Sequence, residues 1–254
     1  MTEHFQPIIL HFDSIDSTNL EAMRQARAGA PDGLCIVARE QTKGRGRLDR
    51  SWQSPKDAGL YCSLVLRPQL EITVWPLITL MTALAVSDAL MKACSLRADI
   101  KWPNDLCVND RKLCGILAET VDTETGSAAI LGIGINLKAD SLPATVSDLA
   151  TSVEAATGAQ PDSTRVLTEL LKAIGERYDL LHSPLGREHT IREWCANSSY
   201  AIGRQVRVAL EHDTFEGTTQ GLESDGALRV ETADGKMRIV RAGDVTALRA
   251  TASL

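Results

Sequence analysis

None of the six cysteines (Cys35, Cys62, Cys94, Cys107, Cys114 and Cys195) forms a Cys-x-x-Cys pair. Several sit inside apolar runs, so buried free thiols in a reducing cytoplasm are expected rather than a disulfide or redox framework. The five histidines are scattered, with no pair at metal-ligand spacing, which argues against a zinc site. An excess of positive charge is also missing: 27 Lys and Arg stand against 33 Asp and Glu, a net −6. This argues against a protein whose whole surface coats nucleic acid or anionic membrane, and leaves room for a local basic patch. The longest apolar stretch, Val74 to Cys94, is interrupted by Pro76, Thr79, Thr82, Ser87, Asp88 and Lys92. A central Asp is costly in a bilayer, so this reads as a buried core helix and no membrane span is expected. Met1 to Pro7 carries Glu3, His4 and Gln6 before a short apolar run, so no signal peptide is expected. There is no Gly-x-x-x-x-Gly-Lys-Ser/Thr P-loop. Gly132-x-Gly134 lacks the third glycine of a dinucleotide fingerprint and lies within a strand, which indicates close backbone approach instead. Internal repeats and low-complexity segments are absent.

What is present fits a soluble globular protein: 254 residues, 44% hydrophobic and 24% charged, enough for one large domain and a small one. One stretch stands apart from the acidic background. Gln41-Thr42-Lys43-Gly44-Arg45-Gly46-Arg47-Leu48-Asp49-Arg50-Ser51-Trp52 concentrates cations, glycines and a tryptophan. Glycine lets backbone approach a ligand, and guanidinium forks suit carboxylate and phosphate, so an anion-gripping loop is expected. Taken alone, the plainer reading is a solvated basic loop or an arginine-glycine patch on nucleic acid.

The surrounding pattern alternates strands and helices. Ile8 to Phe12 reads as a strand. Thr18 and Glu21 stand at capping-box spacing before a helix that stops at Gly29. Leu34 to Ala38 and Gly59 to Leu66 are strands, and a Pro76-initiated helix follows. Proline holds Trp102 out of helical geometry, so Lys101-Trp102-Pro103-Asn104-Asp105 is a strand entering a bend. A hairpin over Asn109-Asp110-Arg111 joins Leu106–Val108 to Leu113–Val121, and Ala128–Asn136 is the next strand. Helices are expected over Ser147–Thr157 and Thr164–His182, with a third before Cys195. From about Tyr200 five short strands with Asp225-Gly226 and Asp234-Gly235 turns suggest a small β barrel. The class is therefore α+β: a mixed sheet with flanking helices over 1–199, and a small barrel over 200–254.

Six pieces occur together, in order. They are Ser17-Thr18-Asn19, Gln41 through Arg47, Trp52, Lys101-Trp102-Pro103-Asn104-Asp105, Arg111-Lys112-Leu113-x-Gly115-Ile116-Leu117 and Gly132-x-Gly134-x-Asn136. This set resembles the biotin–protein ligases over almost the whole chain, and Lys-Trp-Pro-Asn-Asp followed by Arg-Lys-Leu is its most specific part. The resemblance implies a fold like that of class II aminoacyl-tRNA synthetases and biotin ligases, with an SH3-like C-terminal barrel. It implies ATP and biotin as substrates, Mg²⁺ on the triphosphate, and a biotin carboxyl carrier protein of acetyl-CoA carboxylase as acceptor. Ser17, Thr18, Asn19 and Gln41 would bind biotin, together with Arg45, Gly46, Arg47 and Lys112. Arg47 and Lys112 would be catalytic. Trp52, Lys101, Asn104, Asn136 and Arg249 would meet the nucleotide, and Asp105 would hold Mg²⁺ or brace Lys101.

Two departures accompany the likeness. Asp49 stands where the family commonly has a second-half glycine, which bears on how that half of the loop closes. No helix-turn-helix precedes the first strand, so no DNA-binding domain is expected. A dimer through sheet edges follows from family likeness alone. Two other readings compete: a lipoate or octanoyl ligase of similar fold, which lacks Lys-Trp-Pro-Asn-Asp in this form, and a non-catalytic nucleic-acid-binding module. A gel shift at physiological salt tests the latter, since tight DNA binding would revive it. Leu90-Met91-Lys92 contains the Met-Lys pair of biotinylated carriers, but within a predicted helix, so the chain reads as ligase and not acceptor.

Overall fold

The computed structural model describes residues 5–139, 142 and 148–248. Its elements run β1 (Ile8–Phe12), α1 (Thr18–Arg27), β2 (Leu34–Ala38), β3 (Gly59–Leu66), α2 (Pro76–Cys94), β4 (Asp99–Lys101) and β5 (Asp105–Val108). They continue with β6 (Arg111–Thr123), β7 (Gly126–Asn136), α3 (Val153–Thr157), α4 (Ser163–Leu181) and α5 (Gly186–Ala196). The last five strands are β8 (Ile202–Ala209), β9 (Thr214–Leu222), β10 (Leu228–Glu231), β11 (Met237–Val240) and β12 (Asp244–Ala247).

A mixed seven-stranded sheet has the order β1-β2-β3-β7-β6-β5-β4, with β1 parallel to β2 and the other pairs antiparallel. Its central strands are covered on both faces, which is why β2 reads Leu-Cys-Ile-Val-Ala without polar alternation. The period of two still sorts the side chains. Cys35 and Val37 join the large core formed with α2 and α4, whereas Leu34 and Ile36 join Ala22 and Ala26 of α1. Helix α2 is the apolar run of the sequence. It is long and apolar enough to cross a membrane, but it is packed against the sheet and α4. Its buried Thr82 returns its hydroxyl to the Ile78 carbonyl at 2.6 Å, which satisfies the one polar group on that face.

The β5–β6 hairpin turns at Asn109 and Asp110, whose φ values of 52° and 60° match the expected tight turn. The final five strands form an antiparallel sheet in the order β11-β10-β9-β8-β12. Its inward residues Val206, Val208, Leu228, Val230 and Val245 merge with the large core. Trp102 ties the two sheets further, donating its indole N–H to the Gly226 carbonyl at 3.0 Å.

Two local expectations need correction. Thr18 and Glu21 form no capping box: α1 begins at Thr18, Ser17 is the N-cap, and no side chain caps it. The Thr18 hydroxyl bonds Gln41 and Ser63, and Glu21 binds Arg24 and Gln25. The helix expected over 147–157 is helical only over Val153–Thr157, capped by Ser152 at 3.1 Å; residue 147 lies outside the described residues. The preceding backbone is claimed by β6. Lys112 N–H donates to the Leu149 carbonyl at 2.8 Å, and Thr151 N–H to the Lys112 carbonyl at 2.9 Å.

Candidate active site

A cavity of about 310 Å³ opens on the face of the large sheet, between the Gln41–Trp52 loop, the start of α1 and the small sheet. Its floor is glycine because nothing larger fits. A Cβ on Gly132 would stand 2.1 Å from Asn19 Oδ1, and one on Gly134 would stand 2.5 Å from the Trp52 indole nitrogen. A Cβ on Gly115 would meet the same indole at 3.0 Å and Lys112 at 3.2 Å. The three glycines of β6 and β7 therefore let side chains from other elements lie flat on the sheet.

One end of the cavity is neutral and closely bonded. Gln41 Oε1 accepts from Thr18 N–H at 2.8 Å and from the Thr18 hydroxyl at 3.0 Å, and its Nε2 donates to Ser54 Oγ at 2.8 Å. Ser63, buried in β3, lies 2.8 Å from Thr18 Oγ1 and 2.5 Å from Asn19 Oδ1, with one proton to give between them. Both N–H groups of the Asn19 amide are engaged, by the Leu117 carbonyl at 3.3 Å and by Glu119 Oε2 at 2.8 Å. These bonds orient Asn19 with its oxygen inward. Ser17 is buried, and its hydroxyl makes no bond to any described residue, so it is the free donor-acceptor here. Gln41 acts as a brace for Thr18 rather than as a free amide.

The other end is cationic, and each cation has a carboxylate keeper. Lys112 Nζ lies 2.6 Å from Asp105 Oδ1 and 5.4 Å from the centre of the Trp52 ring. Arg45 grips Glu119 with both terminal nitrogens, at 3.0 and 3.2 Å. Arg47 donates to Asn104 Oδ1 at 2.9 Å and to the Gly243 carbonyl at 3.0 Å, and it stands 4.0 Å from Asp244. Arg50 pairs with Asp244. Asn104 is itself locked to β6, donating to the Ile116 carbonyl at 2.7 Å.

The loop is a small hairpin. Gly46 N–H donates to the Arg50 carbonyl at 2.7 Å and Trp52 N–H to the Gly44 carbonyl at 2.9 Å. Leu48 and Asp49 form its tip, with φ values of 54° and 56°. Asp49 thus adopts a left-handed conformation more natural to glycine, at some steric cost. It does not pair with Arg50.

Of the residues expected in the site, Ser17, Thr18, Asn19, Gln41, Arg45, Gly46, Arg47, Trp52, Asn104, Asp105, Lys112 and Asn136 all line this cavity. Lys101 does not: it sits on β4 opposite Asp105 in register, off the cavity wall. Arg249 lies outside the described residues. Asp105 braces Lys112, not Lys101. No three His, Cys, Asp or Glu side chains converge around it among the described residues. Asn136 is tied through its amide N–H to the Thr151 carbonyl at 3.0 Å, leaving its oxygen toward the cavity. The Trp52 indole N–H is buried without a protein acceptor, an unspent donor in the wall. Burial pushes the Cys107 thiol, beside Leu106 on β5, up to about 12, so it offers no thiolate at neutral pH.

Ser63, Ser54, Glu119 and Asp244 were not foreseen. Ser63 carried a signal, being the one hydroxyl in the apolar run Leu60–Leu66 apart from Tyr61. Asp244 carried none, because it arrives from the other sheet.

Two family models match parts of the chain: the biotin/lipoate A/B protein ligase family over residues 11–136, and the biotin protein ligase C-terminal domain over 201–246. The chain is 35% identical to the bifunctional ligase/repressor BirA of Bacillus spizizenii, across 95% of its own length and 74% of that protein's. The chain belongs to the biotin protein ligase family. It is also 33% identical to the biotin–[acetyl-CoA-carboxylase] ligase of Paracoccus denitrificans, across 91% of this chain and 96% of that one. In fold it matches the Aquifex aeolicus biotin protein ligase solved with biotin and ATP. The TM-score is 0.81 at 29% identity, covering 95% and 99% of the two chains. The mixed sheet with flanking helices and the C-terminal β unit are thus those of biotin ligases.

Proposed function

We propose that this chain joins biotin to a carrier protein in two steps, through a biotinyl-adenylate. The observation that carries the reading is the division of one cavity into a neutral end and a cationic end. The neutral end, around Ser17, Thr18 and Asn19, offers short-range donors and acceptors suited to the ureido ring of biotin. Biotin's acid chain then runs over the glycine floor toward Lys112 and Arg47.

There a carboxylate oxygen attacks the α-phosphorus of ATP. The new bond is carboxylate oxygen to phosphorus, and the bond from phosphorus to the bridging oxygen breaks, with its electron pair leaving on pyrophosphate. Charge accumulates on the phosphoryl oxygens as this happens. Fixed cations are the effective response, because they need no reorganisation at that moment. Lys112 and Arg47 supply them, and Trp52 provides a flat wall and its spare N–H. In the second step a neutral lysine amine of the carrier attacks the acyl carbon of the anhydride. AMP leaves, and the amine's proton passes to solvent. The loop, folded over the cavity, limits hydrolysis of the anhydride.

Magnesium would enter with the ATP phosphates, and Asp105, which lines the cavity beside Lys112, is the carboxylate that would stand by it. The acceptor we infer is a biotin carboxyl carrier protein of acetyl-CoA carboxylase. Six free cysteines favour a reducing, cytoplasmic setting. We place the domain boundary near residue 200, where the second sheet begins. The outer edge of β1, with Ile8, Ile9 and Leu10 exposed, is suited to pairing with a second copy. Pyrophosphate exchange into ATP with biotin, lipoate or no acid tests the reading. Exchange is expected with biotin only, and dependence on lipoate in place of biotin rejects it.

A further inference from the structure

Among the described residues, the small sheet contributes one charged side chain to the cavity wall, Asp244, the first residue of β12. It faces the loop from almost two hundred residues away in sequence. Arg50 pairs with it directly and Arg47 stands 4.0 Å from it, while Arg47 also donates to the neighbouring Gly243 carbonyl at 3.0 Å. The hairpin between them is short and has both tip residues in the left-handed region, so Arg47 and Arg50 point to one side together. The loop therefore has two attachments. Arg45 fastens its first half to β6 of the large sheet through Glu119, and Arg47 and Arg50 fasten its second half to the small sheet.

We propose that Asp244 is a positioning residue that latches the second half of the loop over the cavity and so sets how long an acyl-adenylate stays bound. The inference rests on the ligase reading for its kinetic part alone. Two physical points support it. Asp244 is one-third exposed and Arg50 nearly two-thirds, so the pair is weak enough to open and admit substrates. Once the cavity is filled, water leaves the loop's inner side, and the same charges hold more strongly in the drier surroundings. The latch also accounts for the partner Arg50 takes: it reaches across to Asp244 and not to the carboxylate of Asp49 next to it.

The test uses Asp244→Asn, Asp244→Glu, Arg50→Gln and the double variant Arg50→Gln/Asp244→Asn in the full chain. The release rate of pre-formed biotinyl-adenylate should rise at least threefold in Asp244→Asn and in Arg50→Gln. Asp244→Glu should restore it to within twofold of wild type. The double variant should release faster than either single variant by less than the product of their effects, as coupled residues do. The melting temperature should not move. Limited trypsin digestion of the protein alone reads the latch without any assumption about activity. Cleavage after Arg47 should accelerate at least threefold in Asp244→Asn and not in Asp244→Glu. Smaller changes in both assays, or full independence of the two substitutions, overturn the proposal. If the wild-type chain makes no adenylate, the ligase reading fails and the digestion decides the latch by itself.

Discussion

The two ends of the cavity are built on opposite physical plans. At the neutral end Thr18, Asn19, Gln41, Ser54 and Ser63 bond mainly to one another, and all but Gln41 are buried. At the cationic end Arg45, Arg47, Arg50 and Lys112 are held by carboxylates and keep a substantial fraction of their side chains exposed. A buried neutral network is costly to leave half-made, so it stays in one geometry and can select a shape. Exposed ion pairs exchange partners at little cost, so they can receive a polyanion and let its product go. On the proposed reading, selection and turnover fall to different ends of one cavity.

The contrast can be broken from either side. The largest effect is expected at the cationic end, where Lys112→Ala and Arg47→Ala should each lower the rate of pyrophosphate exchange by about 100-fold or more. The melting temperature should stay near wild type, because both side chains are partly exposed. Near-normal exchange in both variants would show that the reacting atoms lie elsewhere.

Gly134→Ala comes next. Its methyl group would collide with the Trp52 indole at 2.5 Å, and displacing that wall should weaken nucleotide binding about tenfold and cost about 1–3 kcal/mol of stability. Calorimetric titration and thermal melting separate the two effects. At the neutral end, Ser63→Ala leaves Asn19 Oδ1 and Thr18 with a lost partner, at a cost of about 1–3 kcal/mol. Biotin affinity should fall with little change in the rate of the chemical step at saturation, and a fall in that rate alone would contradict the division.

The smallest effect concerns Asp16, which precedes the neutral end and accepts from Ser17 N–H at 2.7 Å. Its bond to Arg24 holds its carboxyl below the usual value of 3.8. Because the folded pKa lies below the unfolded one, the contribution is present above pH 3.8 and is lost as pH falls through the folded value. The pair is partly exposed, so the contribution is a few tenths of a kcal/mol at most. Urea midpoints at pH 5 and pH 3 should differ slightly less for Asp16→Asn than for wild type.

Much of this site is legible in the sequence, and the remainder has an identifiable reason for being hidden. The strands and helices around Pro76, Trp102 and Asn109 follow from proline and turn chemistry, which act within a few residues. The helix expected from Ser147 fails because backbone pairing with Lys112 overrides local propensity for Leu149 to Thr151. Thr18 and Glu21 look like a capping box, yet a glutamine 23 residues away takes Thr18. Lys101 sits beside Asp105 in register but off the cavity, which only the strand geometry reveals.

By itself, then, the sequence determined that a glycine-spaced row of cations, a Ser-Thr-Asn helix start and two glycine-bearing strands belong to one fold, because these depend on local chemistry and spacing. Only the tertiary structure decided which carboxylate holds which cation. Glu119 and Asp244 reach Arg45 and Arg50 across separate strands and separate sheets. A charge pair depends on distance in space, and its partners leave no mark on one another along the chain.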